Sequence, residues 1–368
     1  MKNYQSLPMQ SNINQNNQDN ENETKGTKKA ISIGIVLISI LAKFATRNEP
    51  LYHILPNILL LTPFHRYCPK LWRDPFTFLP EYREHEPIPE IAAADYTYEE
   101  LRKVTKGFRI PVVIRGIFSD TTAVKKWAKK GYLSNILGKH EIAVMKKGNP
   151  YEQDDRYMGS FKKAFDEILS NSKSTTTLFF PVLSRFQYNT TEIANTKRLQ
   201  NDVENLIRKD LEVDRRIWEG FSTNKHNGFH AMQMVIGRGA PLGQNYTGLA
   251  WHSEPGTNWF AQVHGSKRWH FLAPKDSPLL LPTRESINSI ATSDMYQMED
   301  LHYRLPIRYV ELQAGDLLYN PDWEWHHTRN SPGLSIGVPM REVNLFYSMR
   351  NNPLYMAVTA RNHILGSA

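Results

Sequence analysis

At 368 residues the chain has length for one large domain or two small ones, and its 40% hydrophobic and 22% charged residues are those of a globular protein. A formal charge of +8 permits contact with anionic surfaces or substrates, but Lys and Arg are dispersed, with no cluster dense enough for a specific nucleic-acid footprint. The single cysteine, Cys68, excludes an internal disulfide framework and a Cys-rich zinc module.

Eleven of the first 22 residues are Asn or Gln, so residues 1–27 lack the apolar surface needed to order themselves and read as a disordered tail. Residues 28–70 are an apolar membrane-anchor or targeting segment. "AISIGIVLISILA" carries thirteen uncharged residues, and a proline-broken apolar stretch, "PLYHILPNILLLTPF", follows. A span needs about 17–25 residues, so this one requires Lys43 to snorkel. The expectation is a single-pass anchor through residues 30–45, with Lys25, Lys28 and Lys29 on the cytosolic side and the body in the endoplasmic reticulum or Golgi. The alternative is a cytoplasmic protein. Asn189 and Asn245 begin acceptor triplets for N-glycosylation should the body face a lumen.

The body is assigned to residues 75–345, with residues 346–368 as a C-terminal tail. "YTYEELRKV" predicts a short helix and "RIPVVIRGIF" a β-branched strand. The segment from Thr121 to Leu137 predicts a helical face broken at Gly131. "FKKAFDEIL" and "KRLQNDVENLIRKDLEVDRRIW" repeat apolar residues at helical spacing. The remainder is short strands separated by Gly, Pro and Asp: "TLFFPVL", "FHAMQMVIG", "NWFAQVHG", "KRWHFLA", "YVELQA", "DLLYN" and "LSIGVPM". Such spacing means a mainly β barrel or sandwich, here with a helical region ahead of it.

The chemistry is concentrated in "WHSEPGTNWFAQVHGSKRWHF". Residues two apart in extended chain point the same way, so His252 and Glu254 face together. In the next strand Asn258, Phe260 and Gln262 share one face. After the turn at Gly265, Lys267, Trp269 and Phe271 do so. Lys267 therefore lies among large apolar neighbours, where an unpaired ammonium is costly and a bound carboxylate would relieve it. A non-haem iron site needs two imidazoles and a carboxylate on one side. "GDLLYNPDWEWHHTRN" offers the second imidazole as either His326 or His327. Of the 13 histidines, only His252 has an acid at position +2. His226 and His230 stand at i and i+4, but Asn227 and Gly228 between them read as loop rather than as a helical zinc pair.

Taken together, "AWHSEPGTNWFAQVHGSKRWHFLAP", "LQAGDLLYNPDWEWHH" and "RIPVVIRGIFSDTTAVKKW" resemble the JmjC-type, cupin-like oxygenases that use Fe(II), 2-oxoglutarate and O2. The branch most resembled contains the asparaginyl hydroxylase that inhibits hypoxia-inducible factor. The similarity runs from about Glu86 to about Glu342. It implies a double-stranded β-helix (jelly-roll or cupin) core. It also implies His252, Glu254 and His326 as metal ligands and catalytic residues, Lys267 on the distal carboxylate of 2-oxoglutarate, and Asn258 lining the cosubstrate pocket. There are departures. The first acid is Glu254 rather than Asp, and Leu249 replaces a hydroxyl residue for which Thr247 is the expected substitute. Phe179 lies near the place of a family tyrosine, and Pro339 stands where relatives carry a polar residue. The resemblance implies a hydroxylase acting on a protein side chain or small molecule, with N-methyl demethylation, a metal-holding barrel without turnover, and a different metal-dependent cupin enzyme as alternatives. The long segment from Pro274 to Arg308 is a candidate substrate-covering loop. Substrate and oligomeric state are open.

Overall fold

The computed structural model describes residues 80–145, 156–181, 190–219, 229, 231–239, 248–249, 251–254, 256–280 and 303–342. The expected tails at 1–27 and 346–368 and the acceptor residues Asn189 and Asn245 lie outside these, as do His226, His230, Thr247 and most of the candidate covering loop. The expected membrane anchor is corrected. Among the described residues no helix is long and apolar enough to cross a membrane. Residues 28–70, on which the anchor and the endoplasmic reticulum or Golgi location rested, lie outside the described residues. Neither expectation is carried forward.

In chain order the elements begin with β1 (Glu86–Pro87), β2 (Glu90–Ala92), α1 (Tyr98–Val104), β3 (Val112–Arg115), α2 (Thr122–Lys126) and α3 (Tyr132–Leu137). Next come β4 (Glu141–Met145), β5 (Arg156–Ser160), α4 (Phe161–Ser170), β6 (Thr177–Phe180), α5 (Thr190–Leu211) and α6 (Val213–Trp218). The closing run is mostly strand, with one 3-10 helix (Pro274–Leu280) between β10 and β11: β7 (Ala231–Met232), β8 (Met234–Gly239), β9 (Thr257–His264), β10 (Lys267–Leu272), β11 (Arg308–Leu312), β12 (Leu317–Asn320), β13 (Trp325–Asn330) and β14 (Gly333–Glu342). The described helices alternate with the early strands instead of forming a separate block ahead of them.

Local chemistry accounts for the helices. Thr97 caps α1 by accepting from the Glu100 N–H at 3.1 Å, with acids in the first turn and bases in the last. Gly131, at φ 86°, separates α2 from α3 at the break the sequence marks. In α4, Phe161, Ala164, Phe165 and Ile168 are buried at helical spacing. The apolar face of α5 continues past Glu212, where a left-handed residue ends one helix and begins the next.

The strands form two sheets. The smaller runs β1-β11-β10-β13 and the larger β2-β3-β12-β9-β14-β8-β6-β4-β5, with β7 on β14. Strand β9 is central and buried on both faces, so alternation divides its residues between two cores. Trp259, Ala261 and Val263 pack with the helices, while Phe260 meets Trp269, Phe271, Val310 and Leu312 between the sheets. This is a jelly-roll arrangement with helices covering the outer face of the larger sheet.

The turn between β9 and β10 fixes their faces. Gly265 sits at φ 69°, and a Cβ there would lie 2.1 Å from the Leu334 carbonyl oxygen, so only glycine fits. Beyond it β10 pairs with β13, placing Lys267 opposite Asn330, Trp269 opposite Thr328 and Phe271 opposite His326.

Candidate functional site

The inner faces of β6, β8, β9, β10, β13 and β14 enclose one pocket, and the residues singled out from sequence meet there unequally. His252, Asn258, Lys267 and His326 all line it. Glu254 is instead turned to Arg341, which itself lines the pocket. Thr247 lies outside the described residues.

His252 arrives on the edge of the smaller sheet. Its N–H donates to the His326 carbonyl at 3.0 Å, and the His326 N–H donates back at 2.8 Å. The segment is clamped further by the turn preceding β13. The Trp323 N–H donates to the Glu254 carbonyl at 2.9 Å, Ser253 Oγ donates to the Trp323 carbonyl at 3.0 Å, and Thr257 Oγ1 donates to Asp322 at 2.5 Å. Ser253 faces away from the pocket, as the two-residue period requires. Trp323 accepts a left-handed conformation, φ 64°, to complete this turn.

The two imidazoles stand with ring centroids 4.0 Å apart, both buried. The Glu324 carbonyl lies 2.9 Å from His326 Nδ1. A carbonyl can only accept, so the proton sits on Nδ1 and Nε2 keeps its lone pair. Burial pushes the His326 imidazole down to about 4, so it is neutral at pH 7. Trp269 stacks on this ring at 5.3 Å and holds its plane. The register also separates the tandem histidines. His327 pairs opposite His270 on the other face, where the two Nδ1 atoms lie 3.2 Å apart.

Lys267 is 5% exposed, and its ammonium has no hydrogen-bond or ion-pair partner among the described residues. The ammonium stands over the Phe260 ring, 5.1 Å from its centroid. Burial alone pushes its pKa down to about 8. Asn258 Oδ1 and Trp269 Nε1 are also buried without a partner among the described residues. Among the described residues a cation and an indole donor are thus left unsatisfied around one pocket, groups that suit an anion, with an amide acceptor free for a donor beside them.

Some lining residues were missed from the sequence. Thr177 brings a hydroxyl from two residues before Phe179, on the same face of β6; Thr328 and Asn330 follow His326 at the two-residue spacing of β13. That parity was the available signal. Leu249, Phe179 and Pro339 line the pocket as apolar groups.

Two imidazoles and a carboxylate suit divalent iron in kind. Their placement does not yet suit it. Arg341 Nη2 lies 3.2 Å from Glu254 Oε1, and Nη1 contacts Oε2, so both carboxylate oxygens face a guanidinium. Among the described residues no three His, Cys, Asp or Glu side chains are grouped to hold a metal ion.

Comparisons with known proteins agree with this architecture. The family model for the cupin-like domain matches residues 99–352. JmjC domain-containing protein D of Dictyostelium discoideum is 25% identical over 230 residues, 60% of this chain and 49% of that protein. Jumonji C domain-containing protein 5 of Drosophila melanogaster is 35% identical over 101 residues, 26% of this chain and 25% of that protein. HSPB1-associated protein 1 of Bos taurus is 30% identical over 93 residues, 23% of this chain and 19% of that protein. The matched segments thus span half or less of each relative's length. With a jelly-roll core and this extent of match, the chain belongs to the cupin-like domain family and has JmjC-domain proteins among its relatives.

Proposed function

We propose that this protein is an Fe(II)- and 2-oxoglutarate-dependent oxygenase, acting as a hydroxylase on a protein side chain or small molecule. The observation that carries the reading is the buried Lys267 ammonium, without a hydrogen-bond or ion-pair partner among the described residues, in the same pocket as His252 and His326. When bound, iron would activate O2, with 2-oxoglutarate oxidised to succinate and carbon dioxide; one oxygen atom of O2 would enter a substrate C–H bond and the other would end in succinate. His252 and His326 would hold the metal, with Glu254 once it leaves Arg341.

This chain's residues have definable tasks in that chemistry. Lys267 neutralises the far carboxylate of the cosubstrate, and its burial makes that pairing stronger than it would be in water. Thr177, Thr328 and Asn330 lie in the same pocket as further polar contacts, supplying what Leu249 and Phe179 do not. Trp269 fixes the His326 plane, and the Glu324 carbonyl fixes its tautomer. Phe179, Leu249, Phe260 and Pro339 exclude water from the reacting region. Hydroxylation is favoured over N-methyl demethylation by the likeness of the motifs to the asparaginyl-hydroxylase branch.

The Glu254–Arg341 ion pair favours a second reading, a barrel that binds anions without turnover. The assay that separates the two is succinate release from 2-oxoglutarate by the full chain with Fe(II), using His252→Ala as control. Succinate that requires iron, oxygen and His252 supports the oxygenase. Silence combined with no 2-oxoglutarate binding by calorimetry sinks it.

A further inference from the structure

Glu254 meets two competing demands. Extended geometry puts it on the same side as His252, two residues away, where the reading above needs a metal ligand. The fold gives its carboxylate to Arg341. That arginine is no stray surface group. It lies on β14 opposite Asn258 of β9, follows Pro339 on the inward face, and lines the pocket that holds both imidazoles. The contact engages both nitrogens of the guanidinium fork and both carboxylate oxygens. A metal ion on the two imidazoles needs at least one of those oxygens, and its charge repels the guanidinium. Partial exposure keeps exchange feasible: the side chains of Arg341 and Glu254 are 20% and 23% exposed, so water can replace a broken bond.

Resting on the oxygenase reading, we propose that Arg341 and a divalent cation are alternative partners of Glu254. The guanidinium is the internal counter-ion of the metal-free pocket. It holds the carboxylate at the pocket's edge, neutralises it, and yields it when metal arrives. Arg341 thereby sets how tightly the site takes its metal, and it is a positioning residue because it acts through Glu254. The metal-free protein keeps a folded, charge-balanced site at the cost of weaker metal affinity.

The test is a calorimetric titration of the full chain, stripped by chelator, with Co(II) alone, a redox-stable probe for N/O sites. Arg341→Gln should bind Co(II) at least fivefold more tightly than the parent protein. In a Glu254→Gln background the same substitution should change affinity by less than twofold, because the competition has lost its object. Metal-free Arg341→Gln should unfold at a lower temperature, and Co(II) should raise its melting temperature more than that of the parent. Should Arg341→Gln fail to fold, Arg341→Lys keeps a charge without the fork and should tighten binding by a smaller factor. Unchanged or weaker Co(II) binding in the Arg341 variants, with binding still lost in His252→Ala, overturns this inference alone. Absence of any His252-dependent Co(II) binding overturns the metal-site reading and the inference together.

Discussion

Lys267 keeps its charge at neutral pH against a burial penalty. Its folded pKa near 8 lies below the 10.5 of a free lysine, so the unfolded chain holds more protons between those values and stability rises with pH across that window. At pH 7 the shift corresponds to about 3 kcal/mol of destabilisation. The neighbouring Phe260, Trp269 and Phe271 each contribute about 2–3 kcal/mol by burial, enough in sum to hold the strand in place around the buried charge. Lys267→Met should therefore raise the melting temperature of the ligand-free protein while abolishing 2-oxoglutarate binding, read by thermal unfolding and calorimetry on one preparation. Parent protein should bind 2-oxoglutarate about tenfold more weakly at pH 9 than at pH 7, since a group titrating near 8 is mostly neutral at 9. Equal affinity at both values would detach Lys267 from the ligand.

At the scale of elements, the β9–Gly265–β10 hairpin decides which side chains reach the pocket. Gly265→Ala places a Cβ against the Leu334 carbonyl at positive φ and should cost about 2–3 kcal/mol, seen as a lower urea midpoint with an unchanged slope. The faces of this hairpin were legible in the sequence because a period of two needs no tertiary information: Asn258 with Phe260, and Lys267 with Trp269, fall as alternation requires. The choice between His326 and His327 was not legible from the residues themselves. Pairing with β10 settles which of them shares a face with Phe271, and that register depends on the turn pinned at Trp323. Thr177 shares a face with Phe179, and only the period of two marks it, since a threonine in a β-branched, aromatic strand carries no signal of its own. Arg341 left no trace at all: its partner lies 87 residues away, and no local pattern encodes such a meeting.

For the molecule as a whole, the helices and the larger sheet share one apolar core, and its main polar tie is Asp210 on α5. This carboxylate is 2% exposed and accepts from Trp127 Nε1 at 2.8 Å and from the Tyr132 hydroxyl at 2.9 Å, joining α5 to α2 and α3. Burial and then Asp210 push the Tyr132 phenol up to about 12, so it stays a donor throughout the physiological range. Asp210→Ala strands both donors and should destabilise by about 2–4 kcal/mol, measured by urea unfolding. An effect below about 0.5 kcal/mol would show that the helices do not depend on it.

The distance along the chain between Glu254 and Arg341 has a consequence in time. Closing a loop of that size is entropically costly, and it joins the segment just ahead of β9 to the last described strand, β14. Helices α1 to α6 can form from neighbours in sequence, whereas the pocket must wait until β14 has been made and docked. On a ribosome the pocket would be the last part of the barrel to exist. In a refolding experiment, recovery of Co(II) binding should accordingly lag behind recovery of helical signal.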